Sequence, residues 1–141
     1  MANPKRIVQP KDLPLRKSHS QVVTVTGGTL VFIAGMTSRS EKDAAPVHQG
    51  DMRAQLRQVC ENIGRALRSV GGDFSDVVKT TTFTTDVHEY HRVSDERFKY
   101  FKKDLPTSTL IGISALEMPE NSNLPLPSFF SPLPTPRIMK K

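Results

Sequence analysis

Tryptophan is absent from this chain of 141 residues, and one cysteine, two tyrosines and seven phenylalanines are all it has of the residues that usually anchor a core or a redox site. A lone Cys60 excludes an internal disulfide and fits a reducing compartment. No apolar run approaches the roughly 20 residues needed to span a bilayer. The opening MANPKRIVQPKD lacks the apolar segment of a secretory signal. A soluble, cytoplasmic protein with no membrane partner is therefore expected. There is also no phosphate-binding glycine loop, no dinucleotide glycine fingerprint and no Ser/His/Asp pattern. His88 and His91 stand three apart with no third ligand at metal-site spacing, so they read as a solvated helix face and no metal is expected. Acidic residues are short as well, 14 against 20 basic ones, for a net charge of +6. That charge permits contact with anions or RNA without specifying either, and no aromatic stacking pattern is interleaved with the basic residues.

What is present centres on 50–86. Met52, Leu56, Val59, Ile63, Leu67 and Val70 recur at spacings of three and four and line one face of a helix. Asp51 is placed to cap its start, and Gly71-Gly72 to end it. Cys60, beside that apolar face, reads as buried and inert. Val77 to Thr85 is almost entirely β-branched or aromatic, the composition of a strand.

Upstream, Ile7-Val8 suggests an edge strand, and Val22–Thr26 with Thr29–Ala34 reads as a hairpin across Gly27-Gly28. Residues 37–49 are polar and read as a loop. Downstream, Asp86 should cap a second helix over Val87–Lys103. That helix would bury Val87, Tyr90, Val93, Phe98 and Phe101 and turn Glu89, Arg92, Asp95, Glu96, Lys99, Lys102 and Lys103 outward. Thr109–Ser114 reads as a short strand. The order of elements predicts an α+β fold with both helices on one face of a mixed sheet. One domain over 1–118 is expected, followed by a basic tail over 119–141. The tail holds six of the eleven prolines, none at PxxP spacing, and reads as loosely attached.

Several segments together resemble the RidA/YjgF/UK114 family of small enamine/imine deaminases. They are SQVV at Ser20–Val23, LVFIAG at Leu30–Gly35, QLRQVCENI at Gln55–Ile63, DFSDVVKTTTFTTD at Asp73–Asp86 and PTSTLIGISALEMPE at Pro106–Glu120. The resemblance covers about Ser18 to Glu120. It implies a chorismate-mutase-like fold with a βαβαβ layout, a homotrimer with ligand pockets between subunits, and cofactor-free hydrolysis of a reactive enamine or imine to a ketone and ammonia. It also implies an arginine anchor for the substrate carboxylate, and Thr107 stands at that position. His19 stands where the family has a tyrosine before Ser-Gln, and ENSNLPLPSFF replaces the family's acidic last strand. No arginine lies between Arg97 and Arg137.

Thr107, Ser108 and Thr109 are the candidate catalytic hydroxyls, against the plain reading that they open a strand. His19 is a candidate acid/base or anion contact, because imidazole titrates near neutral pH. Gly35 would let a ligand approach the backbone or simply end a strand. Phe83 would line the ligand pocket or, like Phe32, pack the core. Three activities follow from these readings: imine hydrolysis, ligand binding without chemistry, and RNA binding or cleavage.

Overall fold

The computed structural model describes residues 5–116 and the strand Phe129–Phe130. Strand β1 (Lys5–Val8) pairs antiparallel with β2 (Val22–Val25). Helix α1 (Met52–Ser69) is followed by β3 (Lys79–Thr84), helix α2 (Val87–Val93), a 3-10 helix (Ser94–Lys99), β4 (Thr107–Gly112) and β5 (Phe129–Phe130). β3 is the centre of a mixed sheet, parallel to β4 and antiparallel to β5. The fold is α+β, as the element order predicts.

Helix α1 forms where the period says it should. Asp51 accepts from the Ala54 N–H at 3.0 Å and caps its start. At the other end Gly71 takes φ +76°, and the Gly71 and Gly72 N–H groups donate to Arg68 O and Leu67 O, each at 2.9 Å. That pairing satisfies the last carbonyls of the helix. Met52, Leu56, Val59 and Leu67 are buried on the predicted stripe. Each such side chain contributes about 1.5–3 kcal/mol of transfer free energy. Cys60 is buried among them with Tyr90 and Val93 from α2. Leu67, Val77 and Phe101 form the neighbouring cluster.

Two expectations are corrected. The predicted hairpin does not form: β2 pairs with β1, and Leu30–Ala34 carry no ladder among the described residues. The competing partner wins because β1 is tied down elsewhere. Lys5 Nζ donates to the carbonyls of Ser75, Val77 and Asp104 at 2.9, 2.6 and 2.5 Å. Phe32, expected in the core, is consequently 62% exposed.

The second helix is also interrupted. Ser94 Oγ donates back to His91 O at 3.0 Å, in competition with the main-chain ladder. The chain then tightens to three residues per turn, which advances successive side chains by about 20° more than an α-helix does. Glu96 and Arg97 turn inward and are buried, whereas Phe98, expected inside, is 38% exposed. Apart from β5, the proline-rich 119–141 segment lies outside the described residues.

Candidate functional site

Strand alternation divides the candidate hydroxyls. Thr80 and Thr82 of β3 face α1, so their register partners Ser108 and Leu110 face the helices too. Thr107, Thr109 and Phe83 lie on the opposite face of the sheet. Thr107 Oγ1 donates to Val78 O at 3.2 Å, and Thr109 Oγ1 accepts from Lys79 Nζ at 3.3 Å.

On the helix side, a cavity of about 250 Å³ opens between the Ser18–His19 loop, α2 with its 3-10 extension, and β4. It is lined by Ser18, His19, Tyr90, His91, Ser94, Arg97, Phe98, Ser108 and Leu110. The cavity lies just below the roughly 300–1,000 Å³ range of drug-sized pockets, a size suited to a small metabolite. Two of the six predicted site residues, His19 and Ser108, meet there. Gly35 is exposed and does not line it.

The loop is brought to the strand by two bonds. The Ser20 N–H donates to Pro106 O at 3.0 Å, and Ser20 Oγ donates to Leu105 O at 2.5 Å. The SQ motif is thereby fixed to the entrance of β4, which sets its neighbour His19 beside Ser108. Ser18 Oγ and His19 Nδ1 are 3.0 Å apart and share a hydrogen bond. Tyr90 and Leu110 give the cavity an apolar floor.

The fixed charge in the cavity is Arg97, a residue the sequence reading did not select. It is 8% exposed, its guanidinium carbon lies 5.3 Å from the Phe101 ring centre and 5.9 Å from that of Phe98, and Nη1 donates to Ser108 Oγ at 3.5 Å. A signal for it exists in the sequence. Val93, Arg97 and Phe101 stand four apart, so a cation occupies the middle of an apolar stripe. No carboxylate lines the cavity among the described residues.

Neighbouring Glu96 is buried and receives Arg57 Nε at 2.9 Å, Lys99 Nζ at 2.8 Å and Arg53 Nη1 at 3.3 Å. Those donors, Arg57 first, hold its carboxyl down at about 2. The cluster locks the 3-10 segment against α1 and so fixes where Arg97 sits. Cys60 lies behind the cavity floor, and burial pushes its thiol up to about 12. A thiol so far from ionisation is not a nucleophile.

Among the described residues no helix is long and apolar enough to cross a membrane. Residues 11–122 match the sequence model of the family described as Endoribonuclease L-PSP. The chain is 36% identical to protein DfrA of Myxococcus xanthus over 98 residues, 70% of this chain and 74% of that one. It is 29% identical to human 2-iminobutanoate/2-iminopropanoate deaminase over 98 residues, 70% and 69% of the two chains. A Yersinia pestis structure, YyfB of the conserved Rid protein family and described as of unknown function, superposes with a TM-score of 0.81. That match covers 97% of this chain and all of the other at 22% identity, and it shows a shared fold. Sequence and fold together establish that this chain belongs to the Endoribonuclease L-PSP family, the RidA/YjgF/UK114 proteins.

Proposed function

We propose that the chain is a cytoplasmic RidA-like hydrolase that converts reactive enamine or imine intermediates to ketones with release of ammonia. The observation that carries this reading is the convergence of Ser108 and His19 in one small cavity with an apolar floor. Support also comes from the deaminase relative matched over about two thirds of each chain. In the reaction, water oxygen adds to the C=N carbon while nitrogen takes a proton, giving a carbinolamine. The C–N bond then breaks, ammonia leaves and the carbonyl forms. His19 relays both protons: it takes one from the attacking water and passes it to the imine nitrogen, then takes the hydroxyl proton of the carbinolamine and delivers it to the departing nitrogen. Ser108 holds the water or the developing hydroxyl. The balance requires only substrate and water.

The cavity is completed, in this reading, by a neighbouring subunit of a homotrimer. Phe98 lines it while remaining partly exposed, and Leu30, Phe32 and Ile111 are exposed apolar side chains that an assembly would cover. Thr107, Thr109 and Phe83, on the far sheet face, would meet ligand only through such an assembly. The absence of any carboxylate from the cavity lining, among the described residues, favours a second reading, a binding protein without chemistry.

The test is ammonia release from freshly generated 2-iminobutanoate, compared with spontaneous hydrolysis. Acceleration is expected, reduced about a hundredfold in His19→Ala. A rate equal to buffer alone, with the ligand still bound, would replace hydrolysis by binding.

A further inference from the structure

Among the described residues, the arginines that have carboxylate partners are ones that water reaches. Arg53, Arg57, Arg65 and Arg92, with side chains 38%, 50%, 44% and 78% exposed, all have carboxylate partners. Arg97 is buried and makes no ion pair among the described residues. Water compensates an exposed cation, but a buried one needs a partner. Among the described residues, two phenylalanine rings and one hydrogen bond of 3.5 Å are what the Arg97 side chain has. A guanidinium carries five N–H donors, so most of its capacity is unspent. It meets the cavity where Ser108 also does.

We propose that Arg97 is the anion anchor of this cavity and that it receives the carboxylate of a small 2-imino or 2-oxo acid. This rests on the cavity being the substrate site. The fork of guanidinium N–H groups matches a planar carboxylate with two parallel bonds. The rings hold the fork in place, which lowers the ordering cost on binding. Ser108, whose oxygen accepts from Arg97, keeps its O–H for the water or the developing hydroxyl at the adjacent C=N carbon. That carbon then lies within reach of His19, which lines the same cavity. The position on the strand that the family gives to arginine is left to Thr107, whose hydroxyl is spent on Val78 O. The charge reaches the cavity from the 3-10 helix instead.

The experiment titrates pyruvate and its neutral amide, pyruvamide, into protein labelled with ¹⁵N-arginine, following heat and the guanidinium resonances. Pyruvate is expected to bind about tenfold to a hundredfold tighter than pyruvamide, the span of a hydrogen-bonded charge. It should shift the Arg97 guanidinium, and the discrimination should vanish in Arg97→Gln and survive in part in Arg97→Lys. Equal binding of the two ligands by the unaltered protein, or discrimination kept in Arg97→Gln, overturns the proposal. Inorganic phosphate binding as tightly as pyruvate overturns the carboxylate assignment. If Arg97→Gln does not fold, the ligand comparison and the resonance shift in the unaltered protein decide. Ammonia release from 2-iminopropanoate on the same samples separates the two claims. Pyruvate binding at Arg97 without ammonia release removes the hydrolase and leaves the anchor. Ammonia release by Arg97→Gln at unchanged KM removes the anchor and leaves the hydrolase.

Discussion

Replacing Glu96 by glutamine keeps the shape of the side chain and removes the charge around which the 3-10 helix is fastened to α1. The carboxylate is 1% exposed and accepts from Arg57 at 2.9 Å, Lys99 at 2.8 Å and Arg53 at 3.3 Å, while those three cations are 50%, 63% and 38% exposed. Contacts to a charged buried acceptor contribute about 1.5–3 kcal/mol, and solvent screening of the half-exposed cations holds the total for Glu96 within that range rather than a multiple of it. Glu96→Gln is therefore expected to cost about 2 kcal/mol at neutral pH, or about 6–10 °C in Tm for a chain of this size. The pH dependence gives the sharper signature. The folded-state carboxyl sits near 2 against an ordinary value of 4.5. A depressed acid stabilises above its unfolded value and loses that contribution as pH falls through the folded one. The Tm gap between parent and variant should thus be full above pH 4.5, narrow below it, and close near pH 2. Calorimetry at matched protein concentration measures it. A gap that stays constant across the window would assign the loss to packing and refute the ion-pair argument.

Other consequences are checked as directly. Cys60, its thiol pushed up to about 12 by burial, should resist iodoacetamide in native protein at pH 8 and react fully in denaturant; rapid native labelling would contradict the packing described. Lys5→Met strips three carbonyls, that of Val77 buried, of their donor, so about 1–3 kcal/mol of stability should go, along with amide-exchange protection in β2. Unchanged protection there would mean that β1 is not held by its lysine. Phe32→Glu places charge on an exposed ring that a homotrimer would cover. Sedimentation should show a trimer for the parent and a smaller species for the variant, and a monomeric parent would remove the interface.

Much of this fold was legible in the sequence because its instructions are local. The stripe from Met52 to Leu67, the caps at Asp51 and Asp86, and the paired glycines at 71 and 72 each act over a few residues of chain, and each appears where its spacing places it. β3 announces itself by composition. The hairpin failed because its evidence was equally local while the deciding interaction was not. Gly27 and Gly28 both take positive φ, as a turn there requires, yet Lys5 reaches 70 and 72 residues along the chain to hold β1 against β2.

The site divides along the same line. His19 and Ser108 were readable because each belongs to a short motif, and the Ser20 bonds to Leu105 and Pro106 then join the two motifs in space. Which of three adjacent hydroxyls meets the cavity was not readable from the residues themselves. It depends on which face of the strand the helices cover, and residue types at 107–109 are too alike to signal that. Arg97 was hidden by a different cause. Counted as a charge, it belongs on the solvated face. Counted by position, between Val93 and Phe101 at intervals of four, it belongs inside. A polar residue on an apolar stripe is the point at which composition and periodicity disagree, and burying it without a partner opposes stability. Arg97 and the hydroxyls of β4 are therefore best read as one feature. The strand offers hydroxyls at 107–109, and the 3-10 helix packed against it carries a cation that nothing in the described fold neutralises.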